Sequence, residues 1–93
     1  MDYSSVTDKA IQQELGGRIR ALRLRKNITQ HDLASSTTLS LNTIKALEAG
    51  NAKLSTLIAV LRELNVLEQL DNFIPEITIS PIQLVKMRGK VRR

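Results

Sequence analysis

Between Leu41 and Ala49, Asn42, Thr43 and Lys45 are interleaved with Ile44 and Leu47. On a helix this spacing turns Ile44 and Leu47 inward, together with Leu33 and Ala34 of the preceding segment. Leu41 turns its backbone side the same way. Asn42, Thr43, Lys45 and Ala46 are left on the outer face. An Asn carboxamide can pair with adenine and a Lys ammonium can donate to guanine. Ala and Thr methyls can touch the methyl of thymine. The same side chains would also make an ordinary solvated helix face, and spacing alone leaves both readings open.

The surrounding segment decides how such a helix is held. Residues 29–50 read TQHDLASSTTLSLNTIKALEAG, two short helices joined by a tight turn. Thr29 with Asp32 has capping-box spacing, and the helix that follows runs to Ser35 or Ser36. Thr37-Thr38-Leu39 is the turn. Ser40 caps Leu41 to Ala49, and Gly50 suits the C′ position. This arrangement makes the second helix protrude, and a B-DNA major groove, about 12 Å wide, accepts one helix.

Other elements frame this unit. A first helix runs from a cap at Ser5 or Thr7 to Lys26, with Ile11, Leu15, Ile19 and Leu22 on one face; the first five residues read as a frayed tail. Gly16-Gly17 interrupts it at a cost of about 1 kcal/mol per glycine relative to alanine. Either the glycines permit close packing, or the helix begins only near Leu15. Ser55 is expected to cap a fourth helix, with Ile58, Leu61 and Leu64 as its stripe and Asn65 at its end. A fifth helix, Leu67 to Phe73, stops before Pro75. The domain is thus expected over residues 8–74, after an N-terminal tail at 1–7. Beyond it, at 75–93, Glu76 to Ile79 alternates like a strand. Pro81 ends that strand, residues 81–86 could form one helical turn, and a basic end follows.

Composition narrows the function. The chain has 93 residues, 42% of them hydrophobic, with one Phe, one Tyr and no Trp. That describes one small all-helical domain with an aliphatic core. Net charge is +5, and the sequence pI is near 10.1. Five basic residues lie between Arg18 and Lys26 and five more between Lys86 and Arg93. A polyanionic partner suits this balance. No cysteine is present, His31 stands alone, and no glycine-rich phosphate loop occurs. The residues therefore assemble no catalytic, metal or cofactor site. MDYSSVTDK lacks the features of a signal peptide, and the longest apolar run is only Leu57 to Leu61, so a cytoplasmic, nucleoid-associated protein is expected.

The stretch from Leu15 to Asn65 resembles the Cro/CI, or XRE, family of helix-turn-helix regulators. The resemblance rests on the basic run from Arg18 to Lys26, on Thr29-Gln30, Leu33-Ala34, Ser40, Thr43-Ile44, and on Glu48-Ala49-Gly50. It implies a five-helix, Cro/CI repressor-like DNA-binding domain. It departs at the turn, where the family usually has glycine and this chain has Thr38. By resemblance, Gln30 would touch the DNA backbone, and Arg23 and Glu48 would form an internal ion pair. Leu41 and Ala46 sit where relatives often carry polar base readers, which leaves them only apolar contact. Asn51 and Lys53, in the following loop, suit phosphate contact. The expected DNA-contact set is Gln30, Ser40, Leu41, Asn42, Thr43, Lys45, Ala46, Asn51 and Lys53.

The segment from Leu70 onward resembles the C-terminal extension of HipB-type antitoxins, which accompany HipA-like kinase toxins. That likeness implies a homodimer, a palindromic double-stranded operator at its own promoter, and a kinase partner. Ile77 and Ile79 on an exposed strand could pair with the same strand of a second subunit, or the tail could lie on its own domain.

Overall fold

Three helices begin where a hydroxyl stands ready to accept an orphan backbone N–H. Thr7 Oγ1 accepts from the Ala10 amide at 3.1 Å, opening α1 (Asp8–Arg25). Thr29 Oγ1 accepts from Asp32 at 3.0 Å, opening α2 (Gln30–Thr37). Ser40 Oγ accepts from Thr43 at 3.1 Å, opening α3 (Leu41–Glu48). α4 (Leu54–Glu63) follows, then a 3-10 turn at Leu67–Gln69 that runs into the short α5 (Leu70–Phe73). The computed structural model describes residues 1–76, and all regular structure among them is helical. The strand expected up to Ile79, with Ile77, the turn at 81–86 and the basic end lie outside the described residues.

Residues Tyr3–Ser5 form a 3-10 turn where sequence reasoning expected fraying. The Asp2 carboxylate accepts from both the hydroxyl and the amide of Ser4, which holds its pKa below the usual carboxylate value. At the fourth helix the cap is also displaced. Lys53, not Ser55, occupies the N-cap of α4, and no side chain caps it. Its buried residues are Thr56 and Val60, with Leu64 just beyond. The anticipated Ile58 and Leu61 are half-buried, because that face is only partly covered.

Four helices end in one way. After α1, α2, α3 and α4 the chain turns left-handed at Asn27, Thr38, Gly50 and Asn65, with φ of 58°, 60°, 98° and 60°. In each case the next amide reaches back to a carbonyl of the last helical turn: Ile28 to Arg23, Leu39 to Ala34, Asn51 to Ala46, and Val66 to Leu61. This is the Schellman arrangement, which commonly places an apolar residue after the left-handed one. Ile28, Leu39 and Val66 follow that rule and pack against the core. Asn51 breaks it and stays exposed.

The core is wholly aliphatic: Ile19, Leu33, Ala34, Ile44, Leu47, Val60 and Leu64. It draws on α1, α2, α3 and the end of α4, so it fastens the second and third helices from both sides. Tyr3 and Phe73 remain outside it. The buried face of α1 is Gly16, Ile19 and Arg23. Of the expected stripe only Ile19 is buried, and Ile11, Leu15 and Leu22 are half-buried, since Gly16 and Arg23 occupy the positions against α3.

Candidate nucleic-acid interface

α3 is amphipathic in the sense the sequence suggests. Ile44 is fully buried and Leu47 nearly so, while Asn42 and Lys45 are exposed. Leu41, Thr43 and Ala46 are half-buried. The Ser40 and Thr43 hydroxyls share a 2.8 Å hydrogen bond in addition to the cap, so both side chains are fixed at the helix entrance. Asn42 and Lys45 make no side-chain hydrogen bond among the described residues and are free to meet a ligand.

Beside α3 lies an open groove of about 530 Å³. Thr43 and Ala46 line it from α3, Asn51 and Lys53 from the loop, and Ser55 and Thr56 from α4. Four of the nine expected contact residues thus share one groove. Asn51 and Lys53 are also where local rules give way. A polar residue takes the apolar place after Gly50, and a lysine takes a cap position that favours Ser, Thr, Asp or Asn. Departures of this kind tend to mark functional positions.

Behind the interface, Arg23 and Glu48 meet. Arg23 Nε lies 2.6 Å from Glu48 Oε2, and its Nη2 lies 3.1 Å from Oε1. The guanidinium also donates to the Ile28 carbonyl at 2.8 Å. Both side chains are under a tenth exposed. No buried side-chain polar atom among the described residues lacks a partner. The pair therefore carries the hydrogen bonds that a buried charge requires.

Gln30 sits on a second hollow, of about 480 Å³, lined also by Arg20, Arg23, Leu24, Asn27, Ile28 and Thr29. Its Nε2 donates to Glu48 Oε1 at 3.1 Å. Arg20 is exposed beside it and adds positive charge to this hollow. Further along α1, Arg18 pairs with Glu14 at 2.9 Å, and that hydrogen bond raises its pKa above the usual guanidinium value. This pair is exposed and belongs to the solvated side of α1.

Two short helices, a left-handed turn and a buried ion pair behind an exposed second helix define a helix-turn-helix DNA-binding unit. The helix-turn-helix family model matches residues 19–69, more than half the chain, and the protein belongs to that family, of Cro/CI type. It is a DNA-binding transcriptional regulator whose partner is double-stranded DNA. A search of curated proteins finds no match. Among the described residues no helix is long and apolar enough to cross a membrane, and no cluster of side chains could hold a metal ion.

Sequence reasoning missed one feature of the site: Lys53 as an uncapped N-cap, hidden by Ser55, a better cap two residues on. Of the two readings of Gly16-Gly17, close packing holds, since α1 runs unbroken from Asp8 and Gly16 is buried against the end of α3.

Proposed function

We propose that the protein is a dimeric, sequence-specific repressor that binds a palindromic operator and serves as the antitoxin of a HipA-like kinase operon, repressing its own promoter. The observation that carries the DNA reading is the groove beside α3, where Thr43, Ala46, Asn51 and Lys53 come together next to the exposed Asn42 and Lys45. Asn42 and Lys45 read base edges, while Leu41, Thr43 and Ala46 offer apolar contact to thymine methyls. Gln30, Ser40, Asn51 and Lys53 hold the sugar-phosphate backbone and set the register. With so few polar readers on α3, affinity leans on backbone contacts and on two-fold symmetry. Two copies would present their recognition helices about 34 Å apart, one duplex turn.

The antitoxin assignment is supported by the likeness of the sequence after Leu70 to HipB-type extensions. Dimer pairing would run through Ile77 and Ile79. The test is binding to the native promoter at several salt concentrations, with the protein also purified from its own host. The expected result is a footprint of two half-sites about one turn apart, an affinity that falls as salt rises, and a kinase that co-purifies. No shift at low salt would overturn the repressor reading. A clean dimer without a kinase would overturn the antitoxin reading and leave a stand-alone regulator.

A further inference from the structure

At Gly16 the backbones of α1 and α3 come together with no room for a side chain between them. A Cβ placed on Gly16 would lie 2.6 Å from the Glu48 carbonyl oxygen, 2.8 Å from that of Leu47 and 2.8 Å from the Gly50 amide nitrogen. The approach is reciprocal. A Cβ on Gly50 would lie 2.8 Å from the Gln12 carbonyl carbon and oxygen. Ordinary contact begins near 3.4 Å, and the atoms met are backbone, so no rotamer change can relieve the clash. Gly17, one residue away, faces open space.

Gly16 and Arg23 are seven residues apart, two helical turns, and so share a face of α1 with Ile19 between them. Both grip the same end of α3: Gly16 touches the carbonyls of Leu47 and Glu48, and Arg23 holds the Glu48 carboxylate. The other end of α3 is tied to α2 through the turn at Thr38 and the half-buried Leu39. Any separation at Gly16 therefore tilts α3 rather than sliding it.

We propose that the Gly16–Gly50 backbone contact fixes how far the recognition helix projects, so that Gly16 is a positioning residue for operator specificity although it lies on another helix and touches no DNA. The inference rests on the DNA reading above. Base-edge hydrogen bonds need their donors within a few tenths of an ångström. Electrostatic attraction to phosphates tolerates a tilt. Pushing α3 outward from Gly16 thus damages sequence readout while sparing non-specific binding.

The test compares Gly17→Ala with Gly16→Ala/Gly17→Ala in the full chain. The Gly17 substitution fills open space, improves helix propensity and supplies a stabilised background. The probes are a duplex selected by the unsubstituted protein from a random pool and a random duplex of equal length. Affinities for both are measured at one salt concentration, with thermal melts alongside. In the double variant, affinity for the selected duplex should fall at least about tenfold. Affinity for the random duplex should change less than about twofold, with a cooperative melt retained. If both affinities fall by one factor, or neither falls, the proposal is wrong. If the double variant is unfolded even with Thr38→Gly added as a second stabilising change, Gly16 serves the fold alone and the proposal is overturned. Should the unsubstituted protein select no sequence at all, the DNA-reading assignment fails, and that outcome is separate from any effect of Gly16.

Discussion

Gln30 donates from Nε2 to the same Glu48 carboxylate oxygen that Arg23 Nη2 reaches, 3.1 Å in each case. The first residue of α2 and the last residue of α3 are thereby tied to one buried charge. Removing one partner leaves the other charge uncompensated. Glu48→Ala is expected to cost about 3–5 kcal/mol in urea unfolding. Replacing both by apolar residues, Arg23→Met with Glu48→Leu, should recover most of that loss. Gln30→Ala should cost about 1.5 kcal/mol in the parent and close to nothing in the apolar double variant. Equal costs in the two backgrounds would show that Gln30 does not act through Glu48.

Thr38 stands at φ 60°, as Asn27 and Asn65 do, but it is β-branched. Left-handed backbone costs a residue with a Cβ about 1–2 kcal/mol, and Asn is the non-glycine type that tolerates it best. Thr38→Gly should therefore raise stability by about 1 kcal/mol, after the entropy lost by glycine on folding is subtracted. In a domain of this size that is a rise of about 4–8 °C in Tm. An unchanged or lower Tm would show that the turn is relaxed around threonine.

Much of this architecture was legible in the chain because it is locally encoded. Thr7, Thr29 and Ser40 announce helix starts through their own hydroxyls, and Gly50 and Asn65 announce ends. Local signals also misled: Ser55 looks like a cap, yet the helix begins earlier because Leu54 continues it from Lys53. What remained closed was non-local. The choice between Ile11, Leu15 and Leu22 on one side and Gly16 and Arg23 on the other depends on where α3 lies. Periodicity in α1 does not record that. The Arg23–Glu48 pair joins residues 25 positions apart, and its expectation came from family resemblance rather than from spacing.

Lys53 combines two roles that pull in opposite directions. As an N-cap it leaves the first amides of α4 without a side-chain acceptor. As a charge on the groove it can neutralise a phosphate. Lys53→Ser should stabilise the fold by about 1 kcal/mol. It should also flatten the log–log salt dependence of DNA binding by about 0.9. Thermal melts and a salt titration on the native promoter check the two halves separately. A variant that gained stability and kept its full salt slope would remove Lys53 from the phosphate contacts.

Asn42 is the exposed carboxamide on α3, one turn before Lys45 and free of intramolecular hydrogen bonds among the described residues. A bidentate Asn–adenine contact discriminates by about 1–3 kcal/mol against the wrong base. Asn42→Ala should therefore relax preference at one base pair in each half-site, by about ten- to a hundredfold. The salt slope should stay unchanged, because no charge is lost. Lys45→Ala should differ in kind: it removes a charge as well as a donor to guanine, so both preference and slope should move. The comparison is made by measuring affinities for a set of duplexes carrying single-base substitutions across one half-site. If Asn42→Ala weakened every duplex equally, the side chain would be holding backbone rather than reading a base. The recognition role on α3 would then fall to Lys45 and the apolar contacts of Thr43 and Ala46.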